Sequence, residues 1–462
     1  MSPALVRALG VLLGSLVVPT WIGGFAEAAT VPVRFGLFGE VHVGVPAGEP
    51  ARAAVLISDR DGWDERAEAL AEALRDTGTF VIGVDLPAYL KRLQAIDEKC
   101  AFPGGHFEEM THWIERNQNL RSYLYPVLIG DGAGATFAYA LDAHAPKGTF
   151  AALVTLGFDA RLRLGKPICA GDAGAVTAAD GNGTFRVIAV RRLPNPWRPL
   201  PFAPGARNDS LLQSLPAPLK SILTPAPPPG AALVAAVAAV TAPARSAPAL
   251  PPAVADLPLI EVPAQAPVAP RIGVILTGDG GWAGLDIGVA EQLARRGIAV
   301  VGLNSLKFFW QTRRPEEAAD ALARIIGHYG AAHPDADFVV IGYSFGAALA
   351  PVAINRLPQE ARARIAAQVL ISPDPEAVFE IHVGDWFGST HHEGALPIAP
   401  EIARTAVPVI CVHGSEEDDS YCFKLVGRPN VRELVLPGGH HYNGDYARLG
   451  AGIAAALPAA RG

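Results

Sequence analysis

The chain has 462 residues, of which 50% are hydrophobic and 18% charged, with a formal net charge of −7. That length exceeds one typical core and predicts two domains of ordinary size. The sparse charge and the lack of a basic stripe exclude a nucleic-acid binder, while the mild acidity favours cationic or neutral substrates.

The N-terminus reads as a secretory signal. Arg7 supplies positive charge, Leu9 to Val18 an apolar run, and Ala26-Glu27-Ala28 small residues at the positions a signal peptidase reads. Cleavage before Ala29 makes 1–28 a signal peptide and places the mature chain outside the cytoplasm. No other segment is long and apolar enough to span a bilayer; Gly230 to Val240 is short, Ala-rich and flanked by prolines. The exported chain carries four cysteines, Cys100, Cys169, Cys411 and Cys422. Of the three pairings they allow, the simplest puts one bridge in each half, Cys100–Cys169 and Cys411–Cys422. Their spacing does not suit zinc, so no metal is expected.

An apolar strand at Ala54 runs into a polar turn ending Asp61-Gly62-Trp63, then a helical pattern from Arg66 to Arg75 and a strand from Thr79 to Asp85. Tyr125 to Ala135 forms a strand and Gly-rich turn, and Ala151 to Leu156 a further strand. Between about Leu215 and Pro270 Pro and Ala dominate, which predicts a linker, with a short helix over Ala231 to Val240. The pattern then repeats. Val274 to Leu276 leads into Thr277-Gly-Asp-Gly-Gly-Trp282, followed by a helix over Ile287 to Arg296, a strand from Ala299 to Asn304, another from Phe338 to Ile341, and a third from Ala367 to Ile371. Strands alternating with helices imply βαβ units and parallel sheets. The expected fold is therefore α/β: two α/β-hydrolase-like domains from an internal duplication, at 29–214 and 271–462, each a mostly parallel sheet flanked by helices and joined by a Pro/Ala-rich linker at 215–270. At the Gly-rich turn the first copy has Gly132 where the second has Ser344. Glycine cannot be a nucleophile, so the first domain is expected to be catalytically silent.

Gly342-Tyr-Ser344-Phe-Gly346 is a G-x-S-x-G motif between a strand and a helix-compatible run from Ala347 to Asn355. This is the context of a nucleophile elbow, in which the serine stands free on a sharp turn at a helix N-terminus. The acid and base should follow in that order. After the strand Val407 to Val412 comes His413-Gly-Ser-Glu-Glu-Asp-Asp-Ser420, where Asp419 is the first choice for the acid, then Asp418, then Glu416 or Glu417; Asp374 is a further alternative. After the strand Arg432 to Leu436 comes Pro437-Gly-Gly-His-His-Tyr442, where His441, followed by an aromatic residue, is preferred as the base over His440. The oxyanion hole is assigned to the N–H of Phe345 and that of Asp279 or Gly280. His391-His392-Glu393 is read as lining the substrate entrance. No cofactor is expected.

These motifs, with Phe379-Glu-Ile-His-Val-Gly-Asp-Trp386 and Asp419-Ser-Tyr-Cys422, resemble the bacterial AcvB/VirJ virulence proteins, the two-part layout being AcvB-like. The resemblance is strong over the C-terminal domain and looser over the N-terminal one. It implies a periplasmic hydrolase acting at the membrane surface on an aminoacylated phospholipid, converting lysyl-phosphatidylglycerol to lysine and phosphatidylglycerol, with Ser344, Asp419 and His441 as triad. VirJ-like relatives are linked to type IV secretion components, a second class of partner. Glu416, Glu417 and Asp418 are expected to attract the cationic lysyl group. The alternatives are a broader exported esterase or lipase and a non-catalytic secretion accessory protein.

Overall fold

The computed structural model describes residues 30–157, 162–171, 174–200, 229–241, 250–265, 267–381 and 394–460. The expected signal peptide and the His391-His392-Glu393 loop lie outside them. The first domain contains β1 (Val31–Phe35), β2 (Gly39–Gly44), β3 (Arg52–Ile57), β4 (Thr79–Val84), β5 (Pro126–Asp131), β6 (Ala152–Leu156), a small hairpin of β7 (Thr177–Ala179) and β8 (Phe185–Val187), and β9 (Trp197–Leu200). Its main sheet has the order β1-β2-β4-β3-β5-β6-β9. The second domain contains β10 (Leu259–Val262), β11 (Arg271–Leu276), β12 (Ala299–Leu303), β13 (Asp337–Tyr343), β14 (Ile365–Ile371), a two-residue pair of β15 (Glu376–Ala377) and β16 (Leu396–Pro397), β17 (Val409–Gly414) and β18 (Val431–Leu436). Its sheet has the order β10-β12-β11-β13-β14-β17-β18.

The duplication is explicit in this topology. The order β2-β4-β3-β5-β6-β9 repeats as β10-β12-β11-β13-β14-β17, antiparallel only at the first pairing of each series. Both central sheets are apolar on two faces, as parallel strands covered by helices must be. In β3, Ala53, Val55 and Ile57 face one cluster while Ala54 and Leu56 face another. Local details recur as well. A Cβ on Gly83 would lie 2.1 Å from the Trp63 ring, and one on Gly302 would lie 2.3 Å from that of Trp282, so each shared tryptophan lies flat on a glycine of the neighbouring strand. The Ser58 hydroxyl accepts from Leu86 N at 3.1 Å, as Thr277 Oγ1 does from Ser305 N at 2.8 Å. Among the described residues only the second sheet continues to a further strand, β18, which leads into the histidine loop.

One expectation is corrected. The helix Pro229–Thr241, inside the stretch read as a linker, buries Leu233, Ala236 and Val237 against Leu70 and Leu74 of the helix Glu65–Arg75. It covers the first sheet as the C-terminal helix Tyr446–Ala456 covers the second. Likewise Val254 and Leu257 are buried in the second core, and β10 is an edge strand of its sheet. The Ala-rich composition hid this because small apolar residues pack closely without a marked polar face. Both expected disulfides, Cys100–Cys169 and Cys411–Cys422, are present.

The domains are joined by aromatic contacts. Tyr123 of the first is buried in the core of the second. Trp310 donates from Nε1 to Leu120 O at 2.8 Å, and the Arg116 guanidinium stacks 5.4 Å over its ring while pairing with Glu380. Because Leu233 is fully buried, Leu233→Ala should destabilise the first domain by about 2–5 kcal/mol. Calorimetric unfolding checks this; an unchanged melting temperature would mean that the helix is only a tether.

Candidate active site

The strand β13 ends at Tyr343 and the helix Phe345–Asn355 begins two residues on, so the chain reverses at Ser344 with φ 49° and ψ −113°. Such a backbone is strained by about 1–3 kcal/mol in a non-glycine residue. Its surroundings hold it there. A Cβ on Gly342 would fall 2.3 Å from Gly346 O, and one on Gly346 would fall 2.1 Å from Leu276 O, so strand and helix approach as closely as only glycine allows. The side chain of Ser344 is half-exposed and lines a cavity of about 330 Å³ with His440, His441, Tyr343 and the Gly278–Gly281 turn.

The first domain holds the same elbow without the hydroxyl. Gly132 has φ 54° and ψ −114°, almost the angles of Ser344. A Cβ there would lie 2.2 Å from Asp59 Cγ, and Asp59 Oδ1 accepts from Ala133 N at 2.7 Å. Asp59 stands where the second domain has Gly278, and Ala133 where it has Phe345. The carboxylate therefore occupies the place a serine side chain would need and takes up the amide expected to bind an oxyanion. Phe345 holds the corresponding position at the start of its helix, directly after Ser344.

The acid and base differ from those preferred on sequence grounds. His440 Nδ1 bonds Glu417 Oε1 at 2.9 Å. Glu417 Oε2 accepts from Ser372 Oγ at 2.8 Å and Gly414 N at 3.1 Å, and Tyr442 OH bonds Ser372 Oγ at 2.9 Å. Asp419, Asp418 and Glu416 are exposed and do not line the cavity. The reason is local: the tight turn after β17 folds Glu417 inward, its backbone N bonding Gly414 O, while its neighbours face solvent. The Cys411–Cys422 bridge ties both ends of this turn. His441 instead bonds Tyr343 OH through Nδ1 at 3.0 Å and is exposed. Of the oxyanion assignments, Gly280 N–H is engaged by Asp279 Oδ1 at 3.1 Å, so it does not serve in this state.

Electrostatics follow from this wiring. Burial works to raise the Glu417 pKa, but the hydrogen bonds from His440, Gly414 N and Ser372 outweigh it and hold the carboxyl below its ordinary value. It is thus an acceptor, so Nδ1 of His440 carries the hydrogen and Nε2 is the basic nitrogen. Burial works to lower the His440 pKa, but the bond to Glu417 and its charge, with Asp374 and Asp279 adding, raise it. Enclosure and the charge of His440 lower that of His441. Asp374, the alternative acid, is open to solvent but flanked by protein, and this desolvation with the charge of Asp279 raises its pKa to about 6. Sequence reasoning missed two contributors altogether. Asp286 is buried at the start of the helix Gly284–Ala294, and Glu108 comes from the helix Pro103–Asn117 of the first domain; both line the cavity. Among the described residues no helix is long and apolar enough to cross a membrane.

Residues 270–460 match the family of bacterial virulence proteins called VirJ. Among solved structures, the chain is similar to Est1E from Butyrivibrio proteoclasticus in a ferulic acid complex (13% identity, 43% of this chain and 92% of that one, TM-score 0.32). It is similar to an alpha-beta serine hydrolase homologue from Coxiella burnetii (16%, 43% and 91%, TM-score 0.33) and to MenH from S. aureus (13%, 43% and 96%, TM-score 0.34). No curated protein matches it.

The pairing makes a direct prediction. In an NMR titration His440 should titrate above the ordinary histidine value and His441 below it. Glu417→Gln removes the charge that raises His440, so its midpoint should fall. An unmoved midpoint would refute the pair.

Proposed function

We propose, for a chain whose C-terminal domain belongs to the VirJ family of bacterial virulence proteins, that it is a periplasmic serine ester hydrolase releasing lysine from lysyl-phosphatidylglycerol. The observation that carries the reading is a set of carboxylates gathered about one elbow serine that shares its cavity with a carboxylate-held imidazole. The two disulfides support an oxidising compartment.

Ser344 Oγ attacks the ester carbonyl while Nε2 of His440 takes its proton. Glu417 keeps the ring in the tautomer that can do this and stabilises the imidazolium. Negative charge developing on the carbonyl oxygen meets Phe345 N–H at the positive end of its helix. The C–O bond then breaks, His440 returns the proton to the departing glycerol oxygen, and phosphatidylglycerol leaves. Water, deprotonated by His440, attacks the lysyl-serine ester and frees lysine, so one ester and one water give one acid and one alcohol.

Cationic esters suit this cavity better than plain acyl esters. The α-ammonium of an aminoacyl group is one carbon from the carbonyl under attack. Asp374, whose charge acts on the His440 imidazole, is placed to accept a hydrogen bond from that ammonium. In a partly desolvated site such a charged hydrogen bond contributes about 1.5–3 kcal/mol. The role first given to Glu416 and Asp418 passes to Asp279, which lines the cavity as they do not, and to Asp374, whose charge acts on His440.

The test is release of lysine from vesicles containing lysyl-phosphatidylglycerol, with fluorophosphonate labelling in parallel. Ser344→Ala should abolish labelling and slow release about 10,000-fold, and Glu417→Gln should slow it comparably. Asp419→Asn should stay within a few-fold of the wild type. Wild-type protein that neither labels nor releases lysine would end the proposal.

A further inference from the structure

One side of the cavity is made by the other domain. Glu108, on the helix Pro103–Asn117, lies with Pro146 and Thr149 among its lining residues, opposite the Gly278–Gly281 turn. The approach is close: a Cβ on Gly280 would be 3.1 Å from Glu108 Oε1, and one on Gly148 would be 2.5 Å from Trp282 O. Facing it are Asp279 and Asp286. Asp286 is 3% exposed, and its Oδ2 accepts from Ala283 N at 3.4 Å while its buried Oδ1 has no hydrogen-bond partner. A buried acceptor left unpaired beside two further carboxylates, in a cavity that opens onto a nucleophile, is an arrangement that lacks a donor. The donor it fits is a cation with several N–H groups.

Resting on the hydrolase reading above, we infer that Glu108 of the first domain, with Asp279 and Asp286, is the receptor for the side-chain ammonium of the acyl group. Asp374 serves the α-ammonium next to Ser344, and the Glu108 cluster serves the far end of a long basic side chain. The catalytically silent copy thus sets specificity. Lysyl and ornithyl esters are favoured, and neutral aminoacyl esters are disfavoured because they bring no cation to Glu108 and the unpaired oxygen of Asp286.

Proton balance supports this assignment. Burial, with the charge of Asp279, raises the pKa of Glu108 to about 8; burial does the same for Asp286, also to about 8. Besides Asp279 and Asp286, the titratable groups around Glu108 include Tyr123 and Tyr125 ahead of β5 and, across the cavity, Tyr343, Tyr446, His440 and His441. At neutral pH Glu108 and Asp286 hold protons in the empty cluster. An ammonium favours the ionised forms, so protons leave as it binds, and affinity rises from pH 6 to pH 8.

Two measurements on the full chain test the inference. In the first, hydrolysis of the nitrophenyl esters of Nα-blocked lysine, norleucine and hexanoic acid is compared in wild type and Glu108→Gln. The preference for the lysine ester over the hexanoate ester should fall about tenfold or more, mainly through KM, the norleucine ester should follow hexanoate, and Glu108→Asp should recover part of the loss. An unchanged preference overturns the assignment. The second is calorimetric binding of lysinamide to Ser344→Ala, which involves no chemistry. It should release protons at pH 7 and weaken about tenfold when Glu108→Gln is added; equal affinity overturns the cation site. Wild-type protein that cleaves none of the esters would overturn the hydrolase reading, and the calorimetry would still decide the receptor.

Discussion

A strand that must turn into a helix within one residue, against a neighbouring strand, has very few backbone solutions. At Ser344 the solution is a positive φ held by two glycines, each so close to opposing carbonyls that even a methyl group would collide. Everything else in the site is arranged around this point. It lifts the hydroxyl clear of the sheet, starts the helix directly after it, and brings the ends of β11, β14, β17 and β18 to one edge, where their loops supply the remaining groups. Strain of this kind persists only where the surrounding packing over-determines it, and here both faces of β13 are fully packed.

The first domain shows the same elbow without its hydroxyl. The elbow there keeps its angles and its flanking glycines, Gly130 and Gly134. Two exchanges set it apart. Glycine replaces the nucleophile, and Asp59 stands in place of the small residue in the first turn, its carboxylate meeting the amide at 2.7 Å. The sheet also lacks a counterpart of β18 among the described residues, so no histidine loop faces this elbow. The geometry survived because it is a packing solution as well as a catalytic one.

Sequence made the fold and the nucleophile readable because both depend on local pattern. Alternating strands and helices, a Gly-x-Ser-x-Gly turn in the right place, and two cysteines close on either side of one turn are short-range signals. The acid was not readable. Four carboxylates, Glu416 to Asp419, share one turn, and which of them faces inward is set by a backbone bond from Glu417 N to Gly414 O that no spacing rule reveals. The two histidines differ for the same reason, His440 meeting Glu417 and His441 meeting Tyr343. Glu108 was out of reach entirely, since it lies more than 200 residues from Ser344 and arrives through the packing of one domain on another. The helix Pro229–Thr241 was foreseen as a helix, but its role as a sheet cover was hidden by alanine-rich composition.

Placing recognition on a separate domain separates two demands that conflict. The elbow tolerates almost no movement, whereas discrimination between acyl groups requires side chains that exchange protons and partners. Carrying Glu108 on a helix fixed to the second domain by Tyr123, Trp310 and Arg116 lets its ionisation change without disturbing β13. The empty cluster is stable because Glu108 and Asp286 can stay protonated; a neutral ligand changes nothing in that balance, while an ammonium supplies the charge that makes ionisation favourable. Selectivity then comes from the difference between a desolvated carboxyl with a partner and one without, which is larger than any difference in shape between a lysyl chain and a hydrocarbon chain of the same length.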